Sequence, residues 1–384
     1  MGQQNNKRET EPKPLVALVL QGGGALGAYH IGAYQAMEEA GFAPDWVAGI
    51  SIGAMNSAII VGNPPEDRLK KLEQLWAEIS WPNEWGGFLK GQPRKFFNEM
   101  SAATAFVAGQ PNFWFPRVVS PALLPEVPTE QASYYDTAPM RATLQRLVDF
   151  DLINKGNIRI SLGATEITSG DLHFFDNRGG DGIGPEHVLA SGSLPPGFAA
   201  TRVGDKLYWD GGCVSNTPLD AIYQDTAIDG HILVFMIDLW SRSGEPPDTM
   251  DMVMWRQKQI QYASRSQASI DTHAMRDNLR QAMARMATML PRGAAHDPMV
   301  ANAAAMRSNK TIDIIHVIYH PSPDQISSSD AEFSRPSIEA RRAAGYADLQ
   351  LAIRNKPWGA PRPEGAGTMV HRLSRGTVAT MAVQ

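Results

Sequence analysis

Cysteine is almost missing from this chain. Cys213 stands alone among 384 residues, which rules out an intramolecular disulfide and fits a reducing compartment. No run of basic residues occurs and the net charge is −5, so nucleic acid is not an expected partner. No uninterrupted apolar stretch approaches the roughly 18–20 residues that a membrane span requires. Residues 1–14 are polar and charged, lack the apolar centre of a secretory signal, and read as a disordered leader. A cytoplasmic protein is the expectation, with peripheral contact at a membrane surface left open. No metal and no cofactor are expected, and the oligomeric state leaves no mark on the sequence.

What is present suits a globular protein with a sizeable core: 43% of residues are hydrophobic and 20% charged. The apolar run Leu15–Leu20 is short and rich in β-formers, as a buried strand should be. Gln21-Gly22-Gly23-Gly24-Ala25-Leu26-Gly27 then turns the chain into a helical segment over 28–40, stopped by Gly41. Trp46-Val47-Ala48 leads into Gly49-Ile50-Ser51-Ile52-Gly53, followed at once by a helical segment over 54–61. Two strand–turn–helix units stand side by side, one offering bare backbone N–H groups and the other a serine.

Beyond them, Leu69, Leu72, Leu75, Trp76 and Ile79 recur at helical spacing. From 81 to 128 the character changes. Trp81, Trp85, Phe88, Phe96, Phe97, Phe106, Phe113, Trp114 and Phe115 follow no clean period. They read as an irregular insertion packed on the core, or as a cap over an apolar ligand pocket; the two are compatible. Regular patterning returns with a helix over 136–148, a strand over 158–165 and a hairpin partner over 172–176. A short strand over 206–209 enters Asp210-Gly211-Gly212, and 231–237 is one more buried strand. A long Met-rich helix is expected over 251–290, with Leu279, Met283, Met286 and Leu290 forming a core or partner-helix stripe rather than a membrane surface. A strand over 312–319 and a helix over 334–353 follow, the latter with Arg341 and Arg342 exposed.

Three stretches can carry chemistry. In Gly49-x-Ser51-x-Gly53 a sharp strand-to-helix turn crowds its neighbours, so small residues are needed on both sides of a serine lifted to the sheet top. The next N–H, of Ile52, then points into the site at a helix N-terminus, where it favours an oxyanion. Gly22-x-Gly24-x-x-Gly27 fits a dinucleotide fingerprint, but Asp45 precedes the second strand instead of ending it, where that fingerprint wants its acid. Facing a nucleophilic serine, the same loop makes an oxyanion hole. Asp210-Gly211-Gly212 is by itself only a turn signal, yet the serine needs a base. His187, His231, His273, His316 and His320 follow the serine, none in a glycine turn at a strand end. A Ser–Asp–His triad stays open at this point.

In this order the three blocks resemble the patatin-like phospholipase family. The resemblance covers about residues 15–225 and includes the small-residue and proline segment 190–198. It implies a three-layer α/β/α fold with a mostly parallel central sheet, and a Ser–Asp dyad without histidine. Ser51 would be the nucleophile, Asp210 the general base, and Gly22, Gly23, Gly24 and Ile52 the oxyanion hole. Gly27, Gly49, Gly53, Gly211 and Gly212 would be motif glycines. The implied substrates are lipids or other acyl esters, cleaved through an acyl-enzyme. The alternatives are a dinucleotide-binding oxidoreductase using the Gly22–Gly27 loop, or a non-catalytic lipid-binding module on the same fold. One departure stands out: the family often carries Arg or Lys where this chain has Leu26. The expected organisation is a catalytic domain over 15–240, a helical extension with one further strand over 241–356, and a flexible tail over 357–384. Phe333, Arg335, Ser337, Arg341, Gly345 and Asp348 look like the extension that follows this domain in some bacterial members.

Overall fold

Six consecutive strands of one sheet run parallel, and the central ones, Leu15–Leu20, Trp46–Ile50 and His231–Asp238, carry the expected sequence. A parallel strand is covered on both faces, so it reads as continuous apolar sequence rather than as an alternation. The computed structural model describes residues 13–382, apart from 83–84, 120, 125, 181, 226, 307–309 and 375. The leader expected over 1–14 therefore lies outside the described residues except for Lys13 and Pro14. In chain order the strands are β1 (Leu15–Leu20), β2 (Trp46–Ile50), β3 (Phe115–Pro116), β4 (Tyr135–Asp136), β5 (Arg159–Glu166), β6 (Leu172–Asp176), β7 (Thr201–Val203), β8 (Lys206–Asp210), β9 (His231–Asp238), β10 (Thr311–Ile318), β11 (Thr368–Ser374) and β12 (Thr377–Ala382). The helices are α1 (Tyr29–Glu39), α2 (Ile52–Val61), α3 (Arg68–Glu78), α4 (Gln92–Ala108), α5 (Ala138–Leu147), α6 (Phe150–Lys155), α7 (Pro185–Ser191), α8 (Leu219–Gln224), α9 (Met250–Met289), α10 (Pro298–Ala305) and α11 (Arg335–Asn355).

The sheet order is β12-β11-β10-β9-β1-β2-β5-β8-β7, with β6 also paired to β5. Strands β11 through β5 are mutually parallel, while β12, β6, β8 and β7 pair antiparallel. Along β1, Val16, Leu18 and Leu20 join a core shared with α1, α2, α3 and α11. Ala17 and Val19 face the other way, toward Leu219 and Ile222 of α8 and Ile270 of α9. The result is the expected three-layer α/β/α arrangement.

The C-terminal third is built into this sheet. β10 lies beside β9, and β11 and β12 extend it, where a flexible tail was expected from the preceding glycines and prolines. The physical reason is the edge of β10: a buried strand with unpaired N–H and C=O groups needs a neighbour, and Ile312 to Val317 find theirs in Thr368 to Leu373. Helix α11 crosses α1 at close range, because a Cβ on Gly345 would lie 2.0 Å from the Tyr29 carbonyl oxygen. Tyr29 also donates its hydroxyl hydrogen to Asp348 (2.7 Å).

Three further expectations are corrected. The 81–128 insertion contains a regular 17-residue helix, α4; its apolar residues lie on two faces, which hides the helical period. Arg341 is buried rather than exposed, and its guanidinium donates to the carbonyls of Ala25, Glu332 and Ser329. The Met-rich stripe is not core: Leu279, Met286 and Leu290 are exposed, and α9 turns Ile270, Ala274 and Ala284 inward instead.

Candidate active site

The site lies at the carboxyl ends of β1 and β2, where parallel sheets leave room for ligands. Between β2 and α2 the chain turns so sharply that Ser51 takes φ 58° and ψ −125°, a conformation that L-residues adopt only under constraint. The flanking glycines make the turn fit. A Cβ on Gly49 would sit 2.4 Å from the Gly53 carbonyl oxygen, and one on Gly53 would sit 2.2 Å from that of Leu20. The Ser51 N–H is held by the Ser191 hydroxyl (3.0 Å), which itself donates to the Gly163 carbonyl (2.6 Å). The strained serine is therefore fastened from the α7 side.

Asp210 ends β8, whose pairing with β5 sets it opposite Ala164. Asp210 is 1% exposed, its Oδ1 accepts the Gly212 N–H at 2.7 Å, and the Ser51 side chain lies near enough to favour its charged form. Burial pushes this carboxyl up to about 7, against the lowering effect of Ser51 and of the Gly212 N–H. An aspartate in water would be a feeble base near neutrality, and desolvation makes this carboxylate more basic. Gly211 packs on the Gly163 carbonyl. Arg265 of α9 donates to the Gly212 and Cys213 carbonyls (3.1 Å each) and steadies the turn from outside.

The glycine loop leaves β1 and faces Ser51, with Gly27 packed on the Ile52 side chain. Gly22 does not serve as an oxyanion donor in this arrangement, because its N–H is bonded to the Asn216 carbonyl (3.0 Å). Its own carbonyl accepts from Asn216 Nδ2 (2.7 Å) and Trp240 Nε1 (2.9 Å). That anchored peptide presents its neighbours: Gly23 and Gly24 line the cavity, and Gly24 sits at φ +54° with the Asp330 carbonyl pressed against it. Among the described residues no acceptor is recorded for the N–H groups of Gly23, Gly24 or Ile52. Gln21 fixes the start of the loop, donating to Thr217 and Ser266 while accepting the N–H groups of Leu239 and Trp240.

Ser51 and Asp210 open into a cavity of about 290 Å³. Phe113, Trp114 and Phe106 of the insertion line it together with Tyr135, Phe198 and Phe333, so the insertion both packs on the core and covers an apolar pocket. The Trp85 side chain lies outside the described residues. Lys258 reaches the cavity paired with the Asp330 carboxylate (2.8 Å). Leu26, at the position where a cation was missing, is fully buried.

No histidine lines this cavity among the described residues. His231 bonds Asp313, His273 bonds Asp220, and His316 bonds Asp238, while His187 packs on Phe175. The Asp45 carboxylate accepts the Val16 N–H (2.9 Å), a structural use that leaves a dinucleotide reading without its acid. Asn216, Gln21, Ser191, Lys258 and Arg265 carry no motif signal, although Ser191 lies in the small-residue segment already noted.

Two family models match the chain: patatin-like phospholipase over residues 18–223 and patatin phospholipase over residues 260–365. Among curated proteins, patatin-like phospholipase domain-containing protein 6 of Mus musculus is 44% identical over 63 residues, 16% of this chain and 5% of that protein. Neuropathy target esterase sws of Drosophila melanogaster is 54% identical over 44 residues, 12% and 3% of the two chains. The chain therefore matches only about a twentieth of the length of these relatives. Among solved structures, VipD from Legionella pneumophila gives a TM-score of 0.37 at 16% identity, covering 90% of this chain and 67% of that one. ExoU of Pseudomonas aeruginosa, in complex with SpcU, gives 0.30 at 17% identity over 77% and 61%.

Proposed function

This chain belongs to the patatin-like phospholipase family, and on that premise we propose that it is a serine acyl hydrolase working through Ser51 and Asp210. The observation that carries the reading is that Ser51, strained at its sharp turn, and the buried Asp210 carboxylate, raised to about 7, line the same apolar cavity. Ser51 Oγ attacks the ester carbonyl as Asp210 takes its proton. The carbonyl oxygen becomes an oxyanion held by the N–H groups of Gly23, Gly24 and Ile52, the last at the positive end of α2. One such donor is typically worth about 2.7–4 kcal/mol, so the loop rivals the base in importance. As the tetrahedral adduct collapses, the C–O bond to the alcohol breaks and Asp210 returns its proton to that oxygen. Water then attacks the acyl-Ser51 carbonyl, giving a proton to Asp210; the bond from that carbon to Ser51 Oγ breaks, Asp210 returns the proton to Oγ, and the carboxylic acid leaves.

The substrate is a lipid or related acyl ester whose chain lies among Phe113, Trp114, Phe198 and Phe333. Lys258 is the cation lining the cavity, and Asp330 already neutralises it. Esters without a net negative head group therefore suit the site best. The reading is tested by active-site labelling with a fluorophosphonate, which should modify the wild type and fail on Ser51→Ala.

A further inference from the structure

Helix α4 has two apolar faces. Phe97, Ala102 and Ala105 are buried against the body of the protein. Phe96, Met100, Ala103 and Val107 stand on the outer side at i, i+4, i+7 and i+11, the spacing of a single helical stripe. Phe96, Met100 and Val107 are 64%, 53% and 80% exposed. A surface helix ordinarily shows charge there, yet two of the three charged side chains on α4 are engaged elsewhere. Arg94 is buried on the Gly86 carbonyl and Ser337, and Lys95 pairs with Asp251 (3.3 Å). Only Glu99 is left among the charged residues of the helix.

The C-terminal end of α4 also reaches the mouth of the catalytic cavity. Phe106, 45% exposed, lines that cavity, and its carbonyl accepts the Tyr135 hydroxyl (3.1 Å). Phe115 on β3 is exposed and pairs through its strand with β4, which carries Tyr135. Leu194, also exposed, lines the cavity as well. Exposed apolar side chains gathered on one helix face and around a cavity mouth mark an interaction site.

We propose that this face seats the cavity mouth on a lipid surface, with α4 lying in the interfacial plane and Phe96, Met100, Phe106, Val107 and Phe115 reaching the acyl boundary. The inference rests on the reading of the cavity as an acyl site. With Phe106 and Leu194 at the mouth, an acyl chain can pass from a bilayer toward Ser51 along apolar side chains. A protein partner or second copy seated here would cover the mouth, whereas a bilayer delivers the substrate through it. With no free cation on α4, the attraction is hydrophobic: it calls for neutral or zwitterionic lipid and is insensitive to salt.

The test uses the full chain carrying Ser51→Ala, so that binding is read apart from hydrolysis. It should co-sediment with phosphatidylcholine vesicles at low and high salt alike. Adding Phe96→Gln, Met100→Gln and Val107→Gln, which keep helix propensity, should lower the bound fraction by at least ~tenfold. In the active protein the same three changes should cut release of fatty acid from vesicles while leaving cleavage of dissolved p-nitrophenyl butyrate unchanged. The inference is overturned if the Ser51→Ala protein stays in the supernatant, or if it sediments only with anionic vesicles at low salt. It is equally overturned if the triple variant binds vesicles as well as its parent, or if the stripe proves to be buried in a dimer in solution. Vesicle binding without any hydrolysis by the active protein would instead count against the catalytic reading alone.

Discussion

Asp210→Asn should inactivate this protein and stabilise it at the same time. The ordinary aspartate value is 3.8, and burial raises this carboxyl to about 7 in the folded chain. A carboxyl whose folded value lies above its unfolded one holds its proton more tightly in the folded state. The folded state therefore has its full advantage below pH 3.8 and loses it as pH climbs to about 7. At about 1.4 kcal/mol per pH unit, ionising Asp210 costs the fold about 4 kcal/mol at pH 8. An amide of the same shape carries no charge to desolvate, and its oxygen can still accept the Gly212 N–H that Asp210 Oδ1 accepts at 2.7 Å. Urea unfolding followed by tryptophan fluorescence, on both proteins at pH 5 and pH 8, reads the effect directly. The variant should be the more stable at pH 8, by up to a few kcal/mol, and the gap should shrink at pH 5. A variant no more stable than wild type at pH 8, or a gap independent of pH, would refute the argument that burial sets the basicity of Asp210.

The same carboxylate shapes the pH profile. Turnover of a dissolved ester, measured as kcat/KM, should be level above pH about 7 and fall roughly tenfold per unit below it, as the base takes up its proton; a profile flat down to pH 5 would assign the base elsewhere. A second outcome concerns the C-terminal third. Gly345→Ala places a Cβ 2.0 Å from the Tyr29 carbonyl oxygen and must push α11 off α1, so urea unfolding should show a loss of about 1–3 kcal/mol. Because Gly24 to Ala28 run directly into α1, esterase activity should fall with it. An unchanged midpoint would mean that the two helices part easily.

The sharp turns at Ser51 and Asp210 were legible because tight backbone geometry leaves few residues that fit. Gly49 and Gly53 are dictated by carbonyl and hydroxyl groups within 2.4 Å of where a Cβ would be, and such constraints write themselves into short motifs. The two βα units were legible because parallel strands are continuously apolar. Contacts between distant segments left no such trace. Nothing local to Asn216 announces that its carbonyl takes the Gly22 N–H, and that bond is what withdraws Gly22 from the proposed oxyanion hole. Arg341 reads as a surface cation on a helix, yet it closes on the Ala25 carbonyl (3.1 Å). It does so because the C-terminal third folds back over the glycine loop. In α4 two apolar stripes interleave and cancel the period that would have revealed the helix. The last strands were obscured by the glycines and prolines ahead of them, since local composition does not record that β10 has an edge to be paired.

The most direct test of the account is the site of acylation. Wild-type protein, Ser51→Ala and Asp210→Asn are each treated with a fluorophosphonate, and the adduct is located by peptide mass. The account predicts a single adduct on Ser51 in the wild type, none on Ser51→Ala, and a greatly slowed reaction at the same serine in Asp210→Asn. An adduct on another residue, an unlabelled wild type, or labelling of Asp210→Asn at the wild-type rate would contradict it.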